Sequence, residues 1–218
     1  MNKQINHEET IKAIEEASRY LASHYETCKV YNNKLGEIVS NENLSEKGKY
    51  EEKAKVTDAF KVHIEENICK IEECVKIARE IEEANMQILE LDNLELMNAV
   101  NIINVMGSKL DYDNKKQIIE STKGNYQAQV LIRSLFDKFE INYKEFKSFV
   151  VNPSIVFTQL EEEVSSLRMQ PEKSINSASI VEKTFNNILK NIGSDVVIDI
   201  GIDNSEYLDK LAKSVMGV

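Results

Sequence analysis

Proline and glycine are scarce in this sequence. Its 218 residues include 2 prolines and 7 glycines, and both prolines, Pro153 and Pro171, lie in the last third of the chain. A proline inside a helix removes a backbone hydrogen bond and clashes with the preceding turn. Because residues 1–152 contain no proline, long helices are favoured throughout that region.

Arginine is also rare, and the overall charge is acidic. The formal net charge is −10, and the only arginines, scattered along the chain, are Arg19, Arg79, Arg133 and Arg168. Binding to nucleic acids and to anionic lipids normally depends on clustered Lys and Arg. We therefore expect no nucleic-acid partner and no membrane partner.

Long apolar runs are missing as well. No stretch approaches the roughly 18 apolar residues that a membrane span needs, and the N-terminus shows no run typical of a signal peptide. The three cysteines, Cys28, Cys69 and Cys74, are an odd number and fall within helical patterns, where each reads as a small apolar residue. A reducing, cytoplasmic location is expected.

Motifs for catalysis and cofactor binding do not occur. The chain has no phosphate loop, no G-x-G-x-x-G and no G-x-S-x-G elbow. His63, Cys69 and Cys74 lie close together, but their spacing favours core packing over a metal site. The acidic runs 65–66, 72–73, 82–83 and 161–163 are interpreted as solvated helix faces. We expect no enzymatic activity, no cofactor, no metal and no small-molecule substrate.

The first long helix is predicted from regular apolar spacing. Asn6 and Glu9 resemble a capping box, and the residues that follow alternate in spacings of three and four. This first seam consists of Ile14, Ala17, Leu21, His24, Cys28, Tyr31, Leu35 and Ile38. A turn-prone segment, residues 40–49, interrupts it, and Ser45 is the expected N-cap of the next helix.

A second seam predicts a second, longer helix. It consists of Phe60, Ile64, Asn67, Ile71, Cys74, Ala78, Ile81, Asn85 and Ile88. A helix over residues 45–91 would extend roughly 70 Å and outrun the first, so it would need a further partner. The residues predicted to form the interaction seam are Leu21, Leu35, Ile64, Asn67, Ile71, Ile81, Asn85 and Ile88.

Shorter helices are predicted after Leu91, over residues 94–106, 112–123, 125–140, 143–151, 154–169 and 178–192, with Asp111 as an N-cap candidate. Their expected aromatic core includes Phe136, Phe139, Phe146, Phe149 and Phe157. Residues 195–203 suit a strand, but no second strand is available, so an irregular connection to a helix over 205–215 is preferred.

The predicted fold class is all-α, with a long antiparallel coiled-coil-like helical hairpin followed by a compact bundle of shorter helices. The predicted divisions are a hairpin over 1–92, a compact bundle with an aromatic core over 93–170, and C-terminal helices with a short extended connection over 171–218.

The turn region carries a resemblance to a known group of proteins. Residues 31–38 (YNNKLGEI) and 43–49 (NLSEKGK) resemble small helical proteins from the head-morphogenesis and structural gene regions of tailed phages and prophages. There an Asn-Leu-Ser-x-x-Gly-Lys turn joins two charged, heptad-like helices. The resemblance covers residues 31–64 and implies a protein that acts through its surfaces, in the host cytoplasm or associated with a virion.

Two functional hypotheses follow. The first is a non-enzymatic helical interaction protein that self-associates through the hairpin and serves assembly, as a scaffold or accessory component of a phage-like particle. The second is an acidic regulatory or inhibitor module that binds a single host protein, because an acidic surface steers toward a basic site. A membrane-acting helical toxin ranks last, since the chain has no apolar segment that could insert into a membrane.

Overall fold

The computed structural model describes residues 5–86, 88, 94–146, 152–168 and 174–202. Within these ranges the chain forms helices and no strand, which confirms the predicted all-α class. The α-helices are α1 (Glu8–Ser40), α2 (Glu46–Asn85), α3 (Leu94–Met106), α4 (Tyr112–Ser121), α5 (Tyr126–Lys138), α6 (Pro153–Ser166) and α7 (Ser174–Asn191), with a 3-10 turn at Gly107–Lys109. None of the described helices is long and apolar enough to cross a bilayer.

Polar side chains cap several helices at their first turns. Ser45 accepts a hydrogen bond from the Gly48 amide, and Asp111 accepts one from the Asn114 amide, as predicted. The proposed Asn6–Glu9 capping box is not the arrangement found. α1 begins at Glu8, and Asn6 Oδ1 accepts instead from the Glu8 amide at 2.9 Å.

The two long helices run antiparallel along their full lengths. At one end, Asn85 Nδ2 donates to the carbonyl of Asn6 at 3.1 Å, and further along the Tyr31 and Thr57 hydroxyls lie 3.1 Å apart. The second helix is the longer of the two, as predicted, with 40 residues against 33. It ends at Asn85 rather than at the predicted residue 91, after about 60 Å at 1.5 Å per residue, and this end lies beside the start of α1.

A first hydrophobic core joins the hairpin to the last two helices. Ile14 and Leu21 of α1, Ile68 of α2, Leu160 of α6 and Phe185 of α7 are fully buried within it. The helix from Pro153 therefore belongs with the hairpin and not with the neighbours predicted for it. Its apolar stripe needs an apolar face, and α2 supplies one.

A second core is formed by α3, α4 and α5. Ile103, Ile119, Ile132 and Phe136 pack at its centre. The phenylalanines expected to share one core are thus divided. Phe136, Phe139 and Phe146 belong to the second core, Phe157 belongs to the first, and Phe149 lies outside the described residues.

The largest differences from the predicted bounds of the shorter helices are at α7 and at residues 143–151. α7 begins at Ser174, four residues before the predicted start at 178. Residues 143–146 are not helical, and the rest of the predicted helix over 143–151 lies outside the described residues.

Two arginines connect α6 to α2. Arg168 Nη2 donates to Glu72 Oε2 at 2.7 Å, and its Nε donates to Glu65 Oε1 at 2.9 Å. Arg79 Nη1 donates to Glu161 Oε2 at 2.7 Å. The hydrogen bonds that Arg168 donates to Glu72 and Glu65 raise the pKa of Arg168. Because these pairs are partly exposed, each adds at most about 1 kcal/mol, and their main effect is to set the position of α6.

The described part of the connection after α7 is extended but is not a strand. Asn186 takes the place of a partner strand, because its Nδ2 donates to the Ile198 carbonyl at 2.8 Å and its Oδ1 accepts from the Ile198 amide at 2.7 Å. The irregular connection that was preferred over a strand is confirmed for residues 195–202. The predicted helix over 205–215 lies outside the described residues.

His24 is a buried histidine in the first core. Its side chain lies in the α1 seam with no exposed surface, and its Nδ1 has no hydrogen-bond partner within the described part of the chain. Burial lowers the pKa of His24 to about 4 from 6.5. The ring therefore packs in the core in its neutral form.

Replacing His24 should alter the pH dependence of stability. Below pH 6.5 the unfolded chain binds a proton at His24, whereas the folded chain does not bind it until the pH reaches about 4. The free energy of unfolding therefore falls as the pH falls. From pH 6.5 to about 5 the wild-type protein should lose about 2 kcal/mol through this group. His24→Leu should remove that loss, as measured by urea unfolding at several pH values. The control, His63→Leu, changes an exposed histidine on α2, and an equal effect there would contradict the assignment.

Candidate interaction site

The end of the hairpin extends beyond the first core. We call residues 32–63 the arm; it contains the end of α1, the turn and the start of α2. None of its side chains is buried, whereas Cys28 and Ile68, close to its two ends, are fully buried. The first core therefore stops at the base of the arm.

The two helices of the arm cover each other only partly. Leu35 and Ile38 on α1, and Val56 and Phe60 on α2, are half-buried between them. The ring of Phe60 lies 5.6 Å from that of Tyr31, and Lys34 Nζ lies 5.0 Å above it. Isolated helix pairs of this length are marginal in water, since most helical stability comes from packing. A further packing partner would stabilise the arm.

The arm differs in charge from the rest of the chain. Its six lysines are balanced by five glutamates and one aspartate, so its formal charge is zero. The net charge of −10 therefore belongs entirely to the residues outside the arm, which we call the body. Because like charges repel, another acidic molecule can approach the arm more readily than the body.

The structure does not gather the predicted seam residues in one place. Leu21, Ile64 and Ile71 are buried in the first core. Leu35 is half-buried in the arm, and Asn67 and Ile81 are half-buried on α2. Asn85 is buried at the base of the hairpin, and Ile88, also half-buried, lies beyond the end of α2. Of these residues, only Leu35 and Ile64 flank or lie in the arm.

The base of the hairpin is organised around a buried carboxylate. Glu82 Oε1 accepts hydrogen bonds from Thr10 Oγ1 at 2.6 Å and from His7 Nδ1 at 2.8 Å. Glu82 Oε2 accepts one from the Tyr126 hydroxyl at 2.7 Å. The carboxylate thereby links α1, α2 and the first turn of α5. We call His7, Thr10, Glu82, Asn85 and Tyr126 the base cluster.

His7 links this cluster to the turn before α5. Its Nε2 lies 3.0 Å from the carbonyl of Gly124, while its Nδ1 faces Glu82. Both ring nitrogens therefore lie within hydrogen-bonding distance of an oxygen acceptor. Gly124 has φ +76°, and a Cβ there would lie 2.7 Å from His7 Nε2, so this close approach requires glycine.

The hydrogen bonds of the base cluster determine the charge of Glu82. Burial by itself raises the pKa of Glu82, but the hydrogen bond and charge of His7, with the hydrogen bonds of Thr10 and Tyr126, leave that pKa below its ordinary value. Burial and the neighbouring Glu82 charge raise the pKa of Tyr126, so its hydroxyl remains a donor. The cluster is a fully paired, charged junction.

The interpretation of residues 82–83 as a solvated pair is wrong for Glu82, which has no exposed surface. A signal was present, because Glu82 follows Val75 and Ala78 at the spacings that place them on one helix face. Cys69 departs from expectation in the opposite direction. It is exposed, whereas Cys28 and Cys74 are buried.

Comparisons of the chain with protein-family models, with curated proteins and with solved structures find no match. Among the described residues, no group of three or more His, Cys, Asp or Glu side chains is arranged to hold a metal ion. The functional argument therefore starts from the contacts and charges of the arm and the body.

Removing the charge of Glu82 should destabilise the fold strongly. Glu82→Gln keeps the shape but turns an amide NH₂ toward groups that donate, and it removes the buried charge to which these groups are hydrogen-bonded. Breaking one partner of a buried pair costs about 3–5 kcal/mol, and we expect a loss of that size in urea unfolding at neutral pH. The contribution of Glu82 is present above its unfolded pKa and is lost as the pH falls through the lowered folded value.

The matched control is Glu80→Gln, which changes an exposed glutamate two residues earlier on α2. It should change the free energy of unfolding by less than about 0.5 kcal/mol. Similar losses in the two variants would show that loss of any carboxylate on α2 destabilises the molecule, and that the hydrogen bonds of the base cluster are not the cause.

Proposed function

We propose that this protein is a non-enzymatic helical interaction protein that self-associates through its hairpin and serves assembly. The observation that supports this most directly is the arm. Its apolar seam is only half-covered, and its formal charge is zero on a chain that carries −10. Such a surface can bury apolar area against another molecule without bringing net like charges together.

The narrower form of the proposal is a scaffold or accessory component of a phage-like particle. Its support is the resemblance of residues 31–64, which cover almost the same segment as the arm. In that group the turn joins two charged helices that act through their surfaces. The proposed self-association thus uses the part of the chain on which the resemblance rests.

The acidic regulatory module is the second candidate. The observation that favours it is the segregation of charge, because all of the net acidity lies on the body. An acidic body can steer toward a basic site on another protein. This function would use the body and would leave the arm without a partner, so the oligomeric state separates the two candidates.

Self-association can be tested by size-exclusion chromatography with light scattering. The chain has a mass of 24.9 kDa, and at tens of micromolar we expect a species of at least twice that mass that dissociates on dilution. Because the arm carries no net charge, added salt should not dissociate the complex. A strictly monomeric protein over this range would contradict self-association and favour the acidic module.

A further inference from the structure

The two sides of the arm differ in their side chains. On α1, the seam residues Tyr31, Leu35 and Ile38 are followed by Asn32, Gly36 and Val39. On α2, the half-buried residues Lys49, Lys53, Val56 and Phe60 are followed in the same way by Tyr50, Ala54, Thr57 and Lys61. One residue corresponds to about 100° of helical rotation. Each following residue therefore lies beside the seam, and the direction of the step around the helix axis is always the same.

The handedness of the helices places both sets on one side of the arm. α1 and α2 are right-handed and antiparallel, so a step of one residue from the seam leads to the same side in each helix. We call the combined set the uncharged strip. It consists of Asn32, Gly36, Val39, Tyr50, Ala54 and Thr57, none of which carries a formal charge, and Lys61 ends it at the base of the arm.

The side of the arm opposite the strip carries charged residues. Lys34 and Glu37 lie outside the strip on α1, and Glu52 and Lys55 lie outside it on α2, where they form an ion pair at 2.6 Å. Such pairs are well solvated and resist burial in an interface. The charged side is therefore suited to solvent and the strip to a partner.

The strip is also open and apolar toward the end of the arm. Val39 is 53% exposed and Tyr50 is 76% exposed, and a Cβ added to Gly36 would meet nothing within 4 Å. Tyrosine combines a large apolar ring with a hydroxyl, and this makes it common at protein interfaces. A helical partner could approach the backbone closely at Gly36 and Ala54.

The charges of the molecule indicate which partner fits. Two copies that meet through their arms bring together surfaces of zero formal charge, whereas contact through their bodies would bring together charges of −10 each. If the arms lie antiparallel, the bodies lie at opposite ends of the pair, where their repulsion is smallest. Such a pair has the two-fold symmetry of most protein dimers.

We infer that two copies of this chain join through the uncharged strips of their arms, laid antiparallel as a four-helix contact. The inference rests on the proposed self-association and specifies its surface and its partner. Gly36 and Ala54 lie at the centre of the contact, Val39 and Tyr50 supply apolar surface toward its two ends, and the charged side of each arm remains in water.

The test compares two double variants by light scattering and sedimentation. Val39→Glu with Tyr50→Glu places four carboxylates in the contact and should raise the dimer dissociation constant by about 100-fold or more. The control, Val30→Glu with Val62→Glu, changes exposed valines outside the strip and should leave the constant within about twofold. Far-UV circular dichroism checks that both variants melt as the wild type does.

Charge reversal makes the test independent of any loss of folding. A third variant, Val39→Lys with Tyr50→Lys, should also be monomeric alone, and an equimolar mixture with the glutamate variant should form heterodimers. If the glutamate variant dimerises as the wild type does, or if only the control loses dimerisation, the strip is not the contact, although self-association stands. A monomeric wild-type protein would instead overturn the proposed function.

Discussion

The ion pair between Glu82 and His7 is the contact on which the rest of the structure depends. A carboxylate without exposed surface is tolerated because Thr10 and Tyr126 complete its hydrogen bonding. A buried pair adds little net stability compared with apolar packing, since desolvation offsets the attraction. Its contribution is specificity. Only one alignment of α1 and α2 brings His7 beside Glu82, and only one placement of α5 brings Tyr126 to the same carboxylate.

That alignment determines where the hairpin is supported. The base cluster fixes one end, and Arg168 and Arg79 hold α6 against α2 further along. The first core occupies the space between these contacts, and α6 and α7 are too short to follow the hairpin to its turn. The helices α6 and α7 have 14 and 18 residues, whereas α2 has 40. The arm is what remains when the covering helices end.

The sequence was sufficient to predict what depends on neighbouring residues. The apolar spacing predicted both long helices, and the polar residues Ser45 and Asp111 predicted helix starts that the structure confirms. It was insufficient where distant segments meet. The stripe Phe157, Leu160 and Val164 fits either core equally well, so its pattern cannot tell which core α6 joins. Glu82 illustrates the same limit, because its donors lie 72 and 44 residues away along the chain.

The distribution of charge follows from the same architecture. Where α6 covers α2, glutamates such as Glu65, Glu72 and Glu161 are held by arginines, and most other acidic side chains of the body face solvent. In the arm, lysines and glutamates are mixed instead, as in the Lys55–Glu52 pair. Repulsion between two acidic bodies opposes their contact, whereas two arms of zero formal charge meet without it. The proposed self-association through the arm rests on this difference.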